Sequence, residues 1–99
     1  MPTWQLIIDP RAEEEARAAF LWYLDRSSRA AEDVQVALEE ALASIAEAPH
    51  RWPEVEPRIR KRVLRRYPYS LLYTIDGSAV TSLVAMHQRR RPGYWKSRP

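Results

Sequence analysis

Cysteine is absent, and only two glycines and two histidines occur in 99 residues. Without cysteine there is no disulfide framework and no thiolate metal site, a usage that fits a reducing cytoplasm. Gly77 and Gly93 cannot make a Gly-rich phosphate loop, and no serine sits in a Gly-x-Ser-x-Gly setting. His50 and His87 lie far apart among scattered acids, so neither a metal nor a cofactor is expected. No apolar run approaches the roughly 18 residues of a membrane span, so no membrane partner is expected. The opening Met-Pro-Thr-Trp-Gln lacks the basic and apolar stretches of a signal peptide. These absences predict one cytoplasmic domain over residues 1–99, large enough for one modest core.

What is abundant is charge, and it is unevenly placed. Residues 1–57 hold 5 Lys/Arg and 12 Asp/Glu, a net of −7. Residues 58–99 hold 11 Lys/Arg and one acid, Asp76, a net of +10. Such a split is expected where half the chain faces a polyanion, or where an acidic helix neutralises a basic sheet.

The apolar pattern predicts the elements. "TWQLIID" (3–9) reads as a short strand. Asp9 then caps a helix with Pro10 at its first position, and Ala16, Ala19, Phe20, Tyr23 and Leu24 share one face. That helix should stop near Asp25 or Arg26. "SS" (27–28) caps a second, with Val34, Leu38, Ala41, Leu42 and Ile45 at helical spacing, ended by Pro49. The short break between them implies an antiparallel helical hairpin. "APHRWPEVEP" (48–57) has three prolines and no periodicity, which predicts a loop, with Trp52 plugging the core edge. "RIRKRVLRR" (58–66), "YSLLYTI" (69–75) and "AVTSLVAM" (79–86) read as strands, the last two joined at Asp76-Gly77, a type I′ hairpin signal. The expected fold is α+β, ordered β-α-α-β-β-β, an antiparallel sheet with the helical hairpin on one face.

Two regions can hold chemistry. On the basic strand, alternation would stand Arg58, Arg60, Arg62 and Arg66 together, roughly 7 Å apart, with Lys61 and Arg65 nearby. So many like charges call for an anionic partner, or else form a solvated outer face. In the tail "HQRRRPGYWKSRP" (87–99), Arg89, Arg90 and Arg91 precede Tyr94 and Trp95. Arginines for phosphates beside aromatics for stacking suit single-stranded nucleic acid, or the two aromatics fold back onto the core. His87, where the last strand meets the arginines, could give a proton to a leaving oxygen. The carboxylates read as surface and helix-dipole residues.

The basic strand, "RRYPYSLLYTIDG" and "VTSLVAMHQRRRPGYW" together resemble the RelE/ParE superfamily, toxins of bacterial type II toxin–antitoxin systems, often first noticed as plasmid-stabilisation proteins. The resemblance covers nearly the whole chain. It implies a cognate antitoxin that wraps and blocks the toxin through an acidic or amphipathic segment. RelE-like members cut messenger RNA on the ribosome, the 2′-hydroxyl attacking the adjacent phosphate. ParE-like members poison DNA gyrase and lack that catalytic set. Carried over by position, Arg58, Lys61 and Arg65 fall where the nucleases keep phosphate-binding side chains. His87 and Tyr94 fall where they place a histidine or a tyrosine, and a glutamate base would come from Glu54 or Glu56. The expectation is ribosome-dependent mRNA cleavage, with Arg65, His87, Tyr94 and Lys61 as the catalytic set. Arg58, Arg60, Arg62, Arg66, Arg89, Arg90, Arg91 and Trp95 would bind the target. The alternatives are a ParE-like inhibitor of gyrase and a plain basic nucleic-acid-binding module or inactive toxin.

Overall fold

The computed structural model describes residues 4–98. Its elements are β1 (Gln5–Ile8), α1 (Pro10–Leu24), α2 (Ser28–Glu47), β2 (Glu54–Glu56), β3 (Ile59–Val63), β4 (Tyr69–Asp76) and β5 (Ala79–His87). Two 3₁₀ turns, Pro49–Arg51 and Tyr94–Ser97, lie between α2 and β2 and after β5. The expected first strand begins at Thr3, which lies outside the described residues.

Local chemistry sets the helix ends. The Asp9 carboxylate accepts from the Arg11 backbone N–H at 2.8 Å, and Pro10 follows where a missing N–H costs nothing. The Ser27 hydroxyl accepts from Ala30 N–H at 3.2 Å and starts α2. Pro49 lies just past its end, in a 3₁₀ turn. These boundaries agree with the sequence pattern.

The sheet differs from the expectation in three ways. It has five strands, ordered β1-β5-β4-β3-β2. The residues 48–57, expected as a loop, contain the 3₁₀ turn and β2, because edge strands tolerate flanking prolines. The sheet is also mixed: β1 runs parallel to β5, from Gln5 opposite Ala79 to Ile8 opposite Ser82, while the other pairs are antiparallel. Finally, the β4–β5 turn is Gly77-Ser78, with Asp76 still paired to Ala79. Gly77 alone has positive φ, +60°, which is the type II′ pattern rather than type I′.

One face of the sheet packs on the helices. Val34, Leu38, Ala41 and Ile45 of α2 and Ala19 of α1 meet Tyr69, Leu71, Tyr73, Val80 and Ala85. Tyr73 has no exposed surface, and its hydroxyl donates to Pro49 O at 2.6 Å, so its polar tip is satisfied. Burying a side chain such as Ile45 contributes about 2 kcal/mol. Leu72 and Val84 pair across β4 and β5 on the opposite face, where no helix lies, yet both are buried. The C-terminal segment is tied by two ion pairs, Lys96 with Glu56 of β2 at 3.0 Å and Arg98 with Glu15 of α1 at 2.7 Å. The segment is therefore held both to the edge strand β2 and to α1.

Candidate functional site

The basic strand divides its cations between two roles. Arg60 lies opposite Tyr73 and Arg62 opposite Leu71, so both extend over the helix side, toward the margin of the core. Arg60 donates to Trp52 O at 2.5 Å and His50 O at 3.2 Å, with Glu54 at 3.7 Å. Arg62 donates from Nε to Ser44 Oγ at 2.9 Å, and its guanidinium lies 4.8 Å from the Trp52 ring centre. Both fix the 48–52 segment against α2 and are not free for a target. Arg58 precedes β3 in a turn with φ +67°, its N–H donating to Glu54 Oε1 at 2.8 Å. Arg66 lies beyond the strand, its guanidinium 5.9 Å from the Tyr67 ring. The expected row of Arg58, Arg60, Arg62 and Arg66 on one free face does not form. The strand is shorter than its charge run, and its margin offers bare carbonyls that arginine stems reach. Lys61 on the other face and Arg65 past the strand make no ion pair or hydrogen bond through their side chains to any described residue.

The second region centres on Glu15, which the sequence reading passed over as a dipole residue. β1 ends opposite Ser82, so β5 has no strand on that side beyond it. Side chains take the strand's place. Ala85 N–H donates to Glu15 Oε1 at 3.1 Å, and Leu83 O accepts from Arg98 Nη1 at 3.1 Å. Glu15 also accepts from Arg98 Nη2 at 2.7 Å and from the Tyr94 hydroxyl. Its oxygens are thereby occupied from three directions: β5, the tail and the tyrosine. Burial, then the hydrogen bond to the Glu15 carboxylate and its charge, push the Tyr94 hydroxyl up to about 12. A signal for this existed. Ala12 at i−3 and Ala19 at i+4 from Glu15 are both buried, and an acid on a buried helical stripe requires a partner.

His87 is half-buried, its ring edge-on to Tyr69 at 5.1 Å. Its Nδ1 accepts from Arg89 N–H at 2.9 Å, which leaves Nε2 as the protonated nitrogen of the neutral ring. His87 thus presents a donor. The Arg90 guanidinium covers the Tyr94 ring at 3.9 Å, and Trp95 is half-buried beside Lys96. Arg89 and Arg91 are exposed, with no side-chain ion pair or hydrogen bond to a described residue. Glu54 and Glu56, the candidate bases, are engaged by Arg60 and Arg58 N–H and by Lys96 respectively. A cleft of about 600 Å³ opens between α1 and the end of β5, lined by Trp22, Tyr23, Tyr69, His87, Arg90 and Tyr94 among others. His87 and Tyr94 are thus brought together, whereas Lys61 and Arg65 line no part of that cleft.

No helix among the described residues is long and apolar enough to cross a membrane. Residues 6–92 match the family model described as the ParE toxin of the type II toxin–antitoxin system parDE. Toxin RelE1 of Caulobacter vibrioides is 31% identical over 80 residues, spanning 79% of this chain and 86% of that protein. Among solved structures, a chromosomal ParDE toxin–antitoxin system from P. aeruginosa aligns at a TM-score of 0.78 and 16% identity, over 88% of this chain and 98% of that one. The isolated E. coli RelE toxin aligns at 0.63 and 24% identity, over 94% and 93%. At those identities the two structures establish the shared fold.

Proposed function

The chain belongs to the ParE toxin family of type II toxin–antitoxin systems, within the RelE/ParE superfamily, and from that we infer that it arrests growth by binding DNA gyrase rather than by cutting RNA. Membership of such a family implies a cognate antitoxin. The target is our reading. What supports it is one observation: the groups that could serve as a general base are spent inside the fold. The Tyr94 hydroxyl donates to Glu15, and His87 Nδ1 is filled by the Arg89 N–H. Glu15 itself accepts from Ala85, Tyr94 and Arg98, so its oxygens are already engaged. A general base needs a free lone pair at the reacting atom. Binding needs only free cations and surface, and Lys61, Arg65, Arg89 and Arg91 supply the cations.

A second reading, ribosome-dependent cleavage, is favoured by the Nε2–H of His87, a residue of the cleft lining, and by the likeness to a toxin named RelE1. One induction experiment separates the two. New RNA 5′ ends and gyrase-linked DNA breaks are mapped in the same cultures minutes after induction. Accumulating DNA breaks with an unchanged RNA 5′-end profile is the expected result. Codon-phased cuts within translated regions would overturn it and move the function to the ribosome.

A further inference from the structure

The edges of the sheet are not protected alike. At β2 the edge carries Glu54 and Glu56, a register shift between them, and Pro53 and Pro57 on either side. Charge, bulge and proline all keep a further strand from adding. Beyond Ser82 the edge of β5 is taken by Glu15 and Arg98. β1 has none of these devices. Gln5, Leu6, Ile7 and Ile8 carry no charge, and their pairing with β5 runs without a register shift. Ile7 is 41% exposed and Ile8 39%.

Only half of the main chain of β1 is used. Gln5 N–H donates to Ser78 O at 2.8 Å and Asp9 N–H to Ser82 O at 2.9 Å, so Gln5, Ile7 and Asp9 turn their main chains toward β5. Leu6 and Ile8 therefore point N–H and C=O away from the sheet, where no described residue pairs with them. The side chains alternate as well. Leu6 packs against the core, and Ile8 lines a cleft with Leu38 and Leu71 on the helix side. Ile7 lies opposite Thr81 on the other face, the one that carries Lys61. Such a strand is complementary to itself. Set antiparallel about a two-fold axis at Ile7, Leu6 of one copy meets Ile8 of the other, and the outward groups of both are paired. Ile7 then meets its own copy, a contact of two β-branched side chains. An axis at Leu6 would instead set polar Gln5 against exposed Ile7. An acidic or basic segment would find no counter-charge on β1, which favours a second copy as the occupant.

We propose that two copies of this chain associate through β1, joining their sheets into one, with five strands from each. The assembly closes at two, because the contact is isologous and the β2 edge is guarded. Both Lys61 side chains then lie on the same side of the joined sheet. The strands in contact are only four residues long, so the interface falls below about 1,200 Å² and the dimer is weak, with a Kd of about 10–100 µM.

The lack of cysteine supplies the test. Ile7→Cys places one thiol at the axis, where a non-hydrogen-bonded antiparallel pair holds its Cα atoms about 4.5 Å apart, within disulfide range. Under mild oxidation the full chain carrying Ile7→Cys should cross-link about tenfold faster than Gln5→Cys, whose thiol is off the axis, or Val36→Cys, exposed on α2. Sedimentation equilibrium of the unsubstituted chain, from about 1 to about 500 µM, should show the mass rising above 11.6 kDa. Ile7→Lys, which faces two ammonium groups from an exposed position, should abolish that rise. Equal cross-linking of the three cysteine variants would overturn the proposal, and so would a monomer at every concentration. A rise in mass that survives Ile7→Lys would place self-association on another surface and overturn it too. None of these readouts depends on whether gyrase is the target.

Discussion

At the scale of the residue, Glu15 does the most. One carboxylate completes the edge of β5, pairs with Arg98 and takes the Tyr94 hydroxyl. Glu15→Ala should leave the Ala85 N–H and the Arg98 guanidinium without their partner and cost about 3 kcal/mol, read by urea unfolding. Tyr94 gives a pH signature. Its folded-state proton is held up to about 12, against an ordinary value of 10.0 in the unfolded chain. Between those values the unfolded chain releases the proton and the folded one keeps it, so stability is full below the lower value and falls as pH rises through the window. Comparing unfolding at about pH 9 and about pH 11 should show a shallower loss in Tyr94→Phe than in the parent. Tyr69 and Tyr73, also raised by burial, leave a residual slope. On the acid side, the hydrogen bonds from the Arg11 side chain and backbone hold Asp9 down to about 2, so the α1 cap is kept until strongly acid pH.

At the scale of the element, β3 and its turn separate structural cations from free ones. Arg62 has a hydrogen bond to Ser44 and a ring beneath it, so Arg62→Ala should cost about 1–2 kcal/mol. Arg65, exposed and without such contacts, should cost less than about 0.5 kcal/mol when changed to Ala. Thermal melts of the two variants check this, and growth arrest should weaken only where a free cation was lost without loss of fold. Arg58 occupies the left-handed region with φ +67°, which disfavours any residue with a Cβ. Arg58→Gly should therefore stabilise by up to about 1 kcal/mol, less the added freedom of the unfolded chain. A lower melting temperature would contradict that account of the β2–β3 turn. The charge run at 58–66 thus misled about position: it reads as one long strand face, whereas β3 ends at Val63.

At the scale of the whole molecule, the charge split has two outcomes at once. Arg60–Glu54, Lys96–Glu56 and Arg98–Glu15 each join the basic half to the acidic half, so part of the asymmetry is neutralised within the fold. The remainder, Lys61, Arg65, Arg89 and Arg91, stays available. Added salt should slow association with an anionic partner strongly, because that attraction acts over roughly the 10 Å Debye length at 0.1 M. The midpoint of unfolding should move little, since the Glu15–Arg98 pair is mostly shielded from solvent. Stopped-flow association and urea unfolding across the same salt series measure both.

The helices, their caps, the meander and the family were legible in the sequence because each rests on local signals. Proline, a capping side chain, a helical or alternating apolar period and a turn glycine act within a few residues. Only the tertiary structure decided which cations are free, since Arg60 and Lys61 differ by one residue and by a whole face of the sheet. It alone set β1 parallel to β5 and ended it at Ile8, so that Glu15 and Arg98, 83 residues apart, finish the uncovered edge. Those contacts depend on which elements become neighbours, a property of the packed sheet and helices that no local pattern encodes.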